Sequence, residues 1–404
     1  MKLFFSVGEP SGDLHGANLI RAFRRQHADW EFVGYGGPRM AEAGCRLHAD
    51  LTQLAVMWIA RVLVNLHKFI GLLIQADRFF RDERPDAVIL IDYPGFNWWI
   101  ARRAKARGIP VFYYGAPQLW AWASHRVKKM RRFVDHVLCK LPFEEAWFRQ
   151  RGCNATYVGH PYFDELRNRR LDQSFINEVE HAHAPLVTIL PGSRTQEVEA
   201  NTRTLLRAAA LIRRRVGSVR FAVAAFKPAQ AEAVRTLATE LDVDVQIHVG
   251  RTPELIHAAD CCLACSGSVS LELLYHAKPS VILYQVSRFG YFMQSMFRRC
   301  RYITLVNLLT ADDITTPRPA ALYDPANPRD AHVLMPEYLA YTDKSEQVAA
   351  HCIEWLTDAE ARRDRWEALS ELRDRFATGG ASERAAEYIR TTLGGNATPL
   401  RQAS

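Results

Sequence analysis

The sequence predicts an α/β fold made of two Rossmann-like, doubly wound parallel-sheet domains. Three observations lead to this prediction: apolar runs of strand length alternate with amphipathic stretches, the alternation restarts after residue 185, and several strands run into loops that contain glycine. Continuous apolar strands separated by helices are typical of a parallel sheet that is covered on both faces. At 404 residues, of which 48% are hydrophobic, the chain is long enough to build two such cores.

The first domain is expected to span residues 1–170, and helices from about residue 365 are expected to pack back on it. Ligands of doubly wound sheets bind outside the carboxyl ends of the strands. The strands predicted for this domain are residues 3–7, 32–36, 87–91, 111–114 and 134–138.

The second domain is expected over residues 175–364, after a polar, charged stretch near residues 165–183. It contains a proline-rich insertion at residues 310–336, which is predicted to form a long loop because proline breaks helices and central strands. Facing edges of the two domains are expected to form a cleft. The strands predicted for the second domain are residues 186–190, 219–223, 243–248, 261–265 and 280–283.

The net charge of +8 indicates an anionic partner, and the excess is concentrated in residues 95–151. That stretch holds 12 Lys and Arg residues against Asp135, Glu144 and Glu145. No motif of nucleic-acid binding accompanies the charge, so nucleic acid is not expected as a partner. An acidic membrane surface, a phosphorylated substrate and a solvated basic face with no partner remain as alternatives.

The eight cysteines do not indicate a metal site or redox chemistry. Cys262 and Cys265 form a C-x-x-C, but the chain lacks a second pair with metal-ligand spacing, and no metal or cofactor is expected. Met1 is followed at once by a predicted strand, which leaves no room for a signal peptide. A cytoplasmic protein with reduced thiols is therefore expected.

Two segments combine apolar and basic residues in the pattern of a helix that lies on a membrane surface. Residues 54–76 are mostly apolar, with a narrow polar stripe that contains Arg61 and Lys68, and ordinary core packing is the alternative interpretation. Residues 288–301 interleave arginine with phenylalanine and tyrosine, which also fits a contact between domains. The side chains expected to face lipid are Val62, Leu63, Leu66, Phe69 and Ile70.

Three loops after predicted strands, at residues 8–13, 191–197 and 266–272, carry groups suited to phosphate or sugar. A strand that ends in glycine and opens a helix presents unpaired backbone N–H groups to an anion. In residues 191–197 an arginine directly follows the glycine turn and offers a fixed fork for a phosphate oxygen, although a surface arginine at a helix start is the alternative. In residues 266–272 small residues allow close approach to a pyrophosphate, and Glu272 could accept hydrogen bonds from a ribose diol.

The catalytic candidate is Asp92, which follows a buried strand and precedes a Pro-Gly turn. A partly desolvated carboxylate there could act as a general base, and the alternative is that Asp92 caps the next segment. The residues considered for binding an acceptor or a phosphate are Glu9, Ser11, Gly12, Asp13, His15, Trp120 and His160.

Taken together, the motifs resemble those of the lipid-A-disaccharide synthases, in the same order and over most of residues 3–310. The motifs that carry the resemblance are residues 8–13, 37–40, 54–57, 92–97, 120–122, 141–144, 159–161, 190–194 and 266–268. Trp58 and Arg61 stand where this family usually has glycine and glutamate, and Gly95 replaces an aspartate of some members.

The resemblance implies the GT-B fold and an inverting, metal-independent transferase. Such an enzyme joins UDP-2,3-diacylglucosamine to 2,3-diacylglucosamine 1-phosphate and releases UDP. Asp92 matches the aspartate that the family needs for catalysis, and residues 54–76 match its membrane-facing surface, which implies peripheral attachment to the inner face of the cytoplasmic membrane. Family members can also form homodimers with exchanged C-terminal parts. The residues that the resemblance and the loops assign to UDP-sugar binding are Gly192, Ser193, Arg194, Glu197, Ser266, Gly267, Ser268, Glu272 and Asn307.

Two other classes of function remain open from the sequence. One is another GT-B enzyme that uses a UDP-sugar, either a different transferase or a UDP-N-acetylglucosamine epimerase. The other is a non-catalytic binder of nucleotide sugar or lipid, since a fold can be kept while its chemistry is lost.

Overall fold

The computed structural model describes residues 1–55, 66–315 and 321–395, which form two compact α/β units. Unit 1 comprises Met1–Asp164 and the chain from Gly379 onward, and unit 2 comprises Glu165–Thr378. The chain thus leaves unit 1 slightly before the predicted residue 170 and returns to it later than the predicted residue 365. Both units contain a wholly parallel sheet, so the predicted fold class is confirmed.

Unit 1 is built on a seven-stranded sheet with the order β3-β2-β1-β4-β5-β6-β7. Its first and third predicted strands, β1 and β4, are neighbours at the centre of the sheet. The short strands β3 and β7 were not predicted, because they are only partly buried and carry polar residues. The strands are β1 (Lys2–Val7), β2 (Glu31–Gly36), β3 (Arg46–Asp50), β4 (Ala87–Ile91), β5 (Val111–Tyr114), β6 (His136–Cys139) and β7 (Ala155–Tyr157).

Helices cover this sheet, and several of them begin with proline at the first or second position, where the missing N–H costs nothing. The helices of this part of the chain are α1 (Pro10–Gln26), α2 (Pro38–Glu42), α3 (Thr52–Ala55), α4 (Leu66–Asp82), α5 (Pro94–Ala106), α6 (Leu119–Trp122), α7 (Val127–Phe133), α8 (Pro142–Arg149) and α9 (Pro161–Asn168).

The strands β1 and β2 approach so closely at Gly34 that no side chain fits there. A Cβ atom on Gly34, whose φ is +138°, would lie 2.1 Å from the carbonyl oxygen of Phe5. Both faces of β1 are covered, and five of its six residues are buried. This explains why an unbroken apolar run, rather than an alternating one, predicted the strand.

The last helix of the chain, α19 (Ala381–Leu393), is part of unit 1. The Asp164 carboxylate accepts hydrogen bonds from the backbone N–H groups of Ala381 and Ser382, at 3.1 and 2.8 Å. Arg384 donates to the carbonyl of Val158 at 2.8 Å, and Ile389 is buried in the core of unit 1. A carboxylate at the positive end of a helix is stabilising, so these contacts hold the helix at its first turn.

Unit 2 is built on a six-stranded parallel sheet with the order β10-β9-β8-β11-β12-β13. Its strands are β8 (Leu186–Leu190), β9 (Arg220–Ala225), β10 (Gln246–Val249), β11 (Cys261–Cys265), β12 (Ser280–Gln285) and β13 (Glu337–Ala340). Its helices are α10 (Gln173–Glu180), α11 (Thr195–Val216), α12 (Pro228–Glu240), α13 (Thr252–Ala258), α14 (Val269–Tyr275), α15 (Arg288–Phe297), α16 (Leu305–Leu309), α17 (Ser345–Thr357) and α18 (Ala359–Phe376).

The helix α18 packs against α14 and α17 of unit 2, which explains why the chain returns to unit 1 later than predicted.

The proline-rich segment is followed by β13, a strand that the sequence did not predict. Its described part is held by the buried Asp330, which accepts two hydrogen bonds from the Arg301 guanidinium and one from the Tyr302 hydroxyl. Residues 316–320 of the predicted loop lie outside the described residues.

Candidate functional site

Asp92 lies at the carboxyl end of β4, the strand beside β1 at the middle of the unit 1 sheet. Asp92 and Tyr93 both have left-handed backbone angles, with φ of +46° and +41°. Such angles cost on the order of 1–3 kcal/mol for each residue that is not glycine, so the surroundings must hold them in place.

Two side chains hold the Asp92 turn by its backbone. The Asp92 carbonyl accepts hydrogen bonds from the Tyr113 hydroxyl at 2.6 Å and from Asn97 Nδ2 at 2.8 Å. Asn97 is fully buried, and its Oδ1 accepts a hydrogen bond from the Ser6 hydroxyl at 2.6 Å. The carboxylate is left out of this network and remains available for chemistry.

The glycine loop between β1 and α1 lies directly against this turn. A Cβ atom on Gly8 would come within 2.4 Å of the Tyr93 ring, and one on Gly12 would lie 2.9 Å from Val7 Cγ1 and 3.5 Å from Asp92 Oδ2. The structure therefore brings together the first predicted phosphate loop and the predicted base, two motifs that lie about eighty residues apart in the sequence.

Lys140 also contacts Asp92, and sequence reasoning missed it. Its Nζ lies 3.3 Å from Asp92 Oδ1, and the two side chains are only 14% and 18% exposed. Burial acts to lower the pKa of Lys140, but the carboxylates of Asp92 and Glu144 outweigh it and the pKa is raised. In the sequence this lysine is one of twelve basic residues in a charged stretch, and most of the others are exposed.

The two predicted histidines lie at the same edge of the sheet, with their rings 6.4 Å apart. Burial lowers the pKa of His15 to about 4, and burial together with the Lys140 ammonium holds the pKa of His160 well below its usual value. Both rings are therefore neutral near pH 7. His160 Nδ1 accepts a hydrogen bond from the Tyr162 N–H, which leaves its proton on Nε2.

Other residues predicted for acceptor or phosphate binding have structural contacts. The Asp13 carboxylate accepts hydrogen bonds from three backbone N–H groups at the start of α2, at 2.9 to 3.1 Å. Trp120 is buried and donates to Glu144 Oε1 at 3.0 Å, so its plane is not offered to a sugar, whereas Trp122 is 45% exposed. Glu9 and Ser11 are exposed at the start of α1.

The second predicted phosphate loop follows β8 in unit 2. Gly192 has a φ of +137°, and a Cβ atom there would lie 2.5 Å from Glu197 Cβ. The Glu197 carboxylate accepts from the N–H groups of Ser193 and Arg194, both at 3.1 Å. The Arg194 side chain is 80% exposed and donates to Glu197 Oε1 at 2.8 Å, so the loop is held by Glu197 while the guanidinium projects into solvent.

Asn201 connects this loop to the neighbouring strand ends, and sequence reasoning did not single it out. Its Nδ2 donates to the Pro191 carbonyl at 3.1 Å and lies 3.3 Å from the sulfur of Cys265, while its Oδ1 accepts from the Gln285 N–H at 2.8 Å. These contacts join the ends of β8, β11 and β12. A buried amide with such partners fixes the relative positions of the loops.

The third predicted loop, residues 266–268, is partly exposed at the end of β11. Nothing lies within 4 Å of the position of a Cβ atom on Gly267, so a ligand has room there. Glu272, the predicted ribose acceptor, is almost fully buried and its Oε1 accepts a hydrogen bond from Arg169 at 2.5 Å. This places the carboxylate in an ion pair rather than at the loop surface.

Asn307, assigned to nucleotide binding by resemblance, lies in the interior of unit 2 and is fully buried. Its Nδ2 donates to the Met335 carbonyl at 2.7 Å and to Glu337 Oε2 at 2.9 Å, and its Oδ1 accepts from the Met335 N–H at 3.1 Å. The amide of Asn307 thus makes internal contacts, because β13 returns beside α16, and its assignment to the nucleotide stays a prediction from the resemblance.

Glu337 is the partner of Asn307 and is expected to make the stability of unit 2 depend on pH. Burial raises the pKa of Glu337 from its ordinary 4.5 to about 7, although three N–H donors face it. The folded state therefore binds more protons than the unfolded state between these values, and stability falls as the pH rises through this window, by roughly 3 kcal/mol at most.

Replacement of this carboxylate should flatten that dependence. The Glu337→Gln variant should show a smaller change of the thermal midpoint between pH 5.5 and 8.5 than the parent, because its side chain stays neutral throughout. Exposed Glu371 provides the control, since Glu371→Gln should leave the dependence unchanged. If the thermal midpoints of the parent and of Glu337→Gln changed with pH by the same amount, the assignment of this pH dependence to Glu337 would be wrong.

The helix α4 shows an apolar line on its exposed side. Leu66, Ile70 and Ile74 are each about half exposed and follow one another at intervals of four residues, which places them on one face. Phe69 differs from the prediction that it faces lipid: it is buried, with its ring centroid 5.7 Å from that of Phe96. Val62 and Leu63 lie outside the described residues, as do Trp58 and Arg61.

The second basic and aromatic segment forms α15, which also exposes apolar side chains. Phe289 is 73% exposed, and Phe292, Met296 and Phe297 are about half exposed. The inner side of the helix is attached through Tyr291, whose ring packs against Tyr341 at 4.9 Å.

None of the described helices combines the length and the apolar character needed to span a bilayer. Within residues 1–55, 66–315 and 321–395, no group of three or more His, Cys, Asp or Glu side chains is placed to hold a metal ion. All eight cysteines are buried free thiols.

Comparison with known proteins shows which family the chain resembles. The family model described as lipid-A-disaccharide synthetase matches residues 3–359. The chain is 30% identical over 389 residues to the lipid-A-disaccharide synthase of Trichlorobacter lovleyi and 32% identical over 389 residues to that of Syntrophus aciditrophicus. In both comparisons the match covers 96% of this chain and 96% of the relative.

Solved structures share the fold at low sequence identity. A putative UDP-N-acetylglucosamine 2-epimerase from Listeria monocytogenes superposes with a TM-score of 0.67 at 10% identity, covering 100% of this chain and 99% of the other. MurG of Acinetobacter baumannii superposes with a TM-score of 0.56 at 13% identity, covering 96% and 99%. These neighbours are GT-B proteins, which identifies the two-unit architecture as GT-B.

Proposed function

The chain belongs to the lipid-A-disaccharide synthase family, and from this we propose that it joins UDP-2,3-diacylglucosamine to 2,3-diacylglucosamine 1-phosphate. It is a hexosyltransferase of lipid A biosynthesis. The observation in the fold that supports the proposal most directly is Asp92, a carboxylate held by its backbone in a left-handed turn at the carboxyl end of a central strand.

In the proposed reaction Asp92 is the general base. It takes the proton of the acceptor 6-hydroxyl while that oxygen forms a bond to the anomeric carbon of the donor, and the bond from that carbon to the UDP oxygen breaks. Because a single displacement inverts the anomeric carbon, the product is a β-1,6-linked disaccharide 1-phosphate. A positioned base of this kind contributes about 10²- to 10⁴-fold to a rate.

The loops of unit 2 are proposed to bind the nucleotide. Arg194 projects into solvent beside the Gly192 turn and can neutralise a phosphate oxygen of the leaving UDP, while the N–H groups and the open space at Gly267 suit a pyrophosphate. Ser193, Ser266 and Ser268 lie in the same loops and are proposed to take part in nucleotide binding. Glu197 and Glu272 are also proposed for this role, although their carboxylates make internal contacts.

The experiment for the reaction measures UDP release from UDP-2,3-diacylglucosamine, with and without 2,3-diacylglucosamine 1-phosphate, and identifies the product by mass. Acceptor-dependent release with a tetraacyl disaccharide 1-phosphate is expected. Conversion of the nucleotide sugar without acceptor would point to another UDP-sugar enzyme, such as an epimerase. Binding of the nucleotide sugar without any product would indicate a binder and overturn the proposal.

Peripheral attachment to a membrane is proposed for the exposed face of α4. The line of Leu66, Ile70 and Ile74 offers apolar area, and the exposed Lys68 and Arg78 on the same helix favour anionic headgroups. This face would bring the enzyme to acylated substrates.

Removal of the apolar line should weaken binding to vesicles. The Leu66→Ser, Ile70→Ser, Ile74→Ser variant is expected to lose at least about tenfold in affinity for vesicles that contain phosphatidylglycerol, because each apolar side chain contributes up to roughly 1.5–3 kcal/mol when buried. The parent should also be released by high salt. The matched control removes exposed apolar residues of unit 2, Phe226→Ser with Val249→Ser, and should bind like the parent.

Equal binding by the triple variant and the parent would remove α4 from the membrane contact and direct attention to α15. A homodimer with exchanged C-terminal parts stays a prediction from the resemblance, and light scattering of the purified protein tests it.

A further inference from the structure

Lys140 reaches Asp92 across the end of an intervening strand. Asp92 follows β4 and Lys140 follows β6, while the strand between them, β5, ends at Tyr114 and is followed by Gly115. A Cβ atom on Gly115 would lie 3.3 Å from Lys140 Cδ and 3.5 Å from its Nζ. The lysine side chain therefore lies over the bare backbone of Gly115, whose φ of +68° also favours glycine.

The two oxygens of the Asp92 carboxylate have different surroundings. Oδ1 accepts the hydrogen bond from the Lys140 ammonium at 3.3 Å. Oδ2 is directed toward Gly12, where a Cβ atom would lie only 3.5 Å away and where the glycine presents no side chain. The pair thus fixes one oxygen and leaves the other for a substrate hydroxyl.

The charged and titratable groups around this pair come from several elements. Asp92, Glu144 and Glu9 act on the ammonium as negative charges. The neutral imidazoles of His15 and His160 also interact with the pair, and the Tyr113 hydroxyl donates to the Asp92 carbonyl. Among the residues that the structure describes, Lys140 is the cation in direct contact with the carboxylate, so its removal leaves a largely buried anion with no other described cation in contact.

We propose that Lys140 is a positioning residue for the base: it orients the Asp92 carboxylate through Oδ1, so that Oδ2 receives the acceptor proton. This rests on the proposed function, in which Asp92 is the base. In the step itself the acceptor O–H bond breaks and an O–H bond forms at Oδ2, while the ammonium of Lys140 keeps all its protons.

The test compares kcat and KM for the parent, Lys140→Met and Lys140→Arg. Methionine keeps an unbranched side chain without charge, so the carboxylate loses its orienting contact while the turn, held by the Asp92 carbonyl, persists. The value of kcat should fall by about 10- to 100-fold, with KM for the nucleotide sugar unchanged. Arginine should restore most of the activity, and Lys128→Met, at an exposed position on α7, should behave as the parent.

An unchanged kcat, a rise in KM for the nucleotide sugar as large as the fall in kcat, or no rescue by arginine would overturn the proposal. The Asp92→Asn variant separates this failure from failure of the proposed function. If Asp92→Asn keeps full turnover, the base assignment itself is wrong. If it is inactive while Lys140→Met keeps the kcat of the parent, only the role of Lys140 fails.

A double-mutant cycle on thermal stability provides a readout that does not need activity. Asp92→Asn, Lys140→Met and the double variant are compared at pH 7. The thermal midpoint of the double variant should be higher than the sum of the two single effects predicts, because each single change leaves the other charge buried without its partner. Additive effects would exclude the interaction on which the proposal depends.

Discussion

Replacement of Asp92 by asparagine is expected to reduce kcat by about 10²- to 10⁴-fold, the usual contribution of a positioned general base. Asparagine has the shape of aspartate but cannot accept the acceptor proton. The turn should survive the change, because Tyr113 and Asn97 hold residue 92 by its carbonyl oxygen rather than by its carboxylate. A loss of activity would therefore reflect the missing base and not a change in the conformation of the turn.

The measurement is a steady-state assay of disaccharide formation, with binding of UDP measured separately by calorimetry. UDP should bind to Asp92→Asn as it does to the parent, since the proposed nucleotide loops belong to unit 2. Asp77→Asn is a suitable control in the same unit, where Asp77 pairs with Arg107 at 2.8 Å. Turnover within about twofold of the parent would contradict the role of Asp92.

Replacement of Arg194 by alanine is expected to reduce kcat/KM by about 10²- to 10³-fold, as for other donors that meet charge developing in a transition state. The effect should be larger on kcat than on UDP affinity, because the charge on the leaving phosphate grows as the bond breaks. The loop itself should persist, since Glu197 holds the backbone N–H groups of residues 193 and 194.

Two further variants make this result specific. Arg194→Lys keeps the charge but not the planar fork and should recover only part of the activity. Arg203 lies on α11, the helix that begins directly after Arg194, and pairs with Glu240 on the surface, so Arg203→Ala should have little effect. An unchanged kcat/KM in Arg194→Ala would leave the guanidinium as an ordinary surface group at a helix start.

Much of the fold was accessible from the sequence because its strands are buried on both faces. Strands such as β1, β4 and β11 consist of unbroken apolar runs and were predicted almost to the residue. The edge strands β3 and β7 are short and partly polar, and β13 follows a proline-rich segment. Nothing in their local sequence separates them from loops, since only pairing with a neighbouring strand makes them regular.

The prediction of lipid-facing residues shows what the hydrophobic periodicity of a sequence predicts and what it does not. Periodicity indicated an amphipathic helix in residues 54–76, and residues 66–76 of that segment lie in the helix α4. It assigned Phe69 to the exposed face together with Ile70, although adjacent residues on a helix point about 100° apart. The packing of α4 against α5 decided that Phe69 is buried beside Phe96.

For the candidate site, the sequence by itself determined the doubly wound fold, the strand-end position of Asp92 and the glycine loops beside it. Only the tertiary structure decided which side chains meet there. Lys140 contacts Asp92 because the sheet places β6 two strands away from β4, with Gly115 between them. Asn307 lies inside because β13 returns beside it. Local patterns specify elements, whereas the partners of a polar side chain depend on strand order and on contacts between residues distant in the chain.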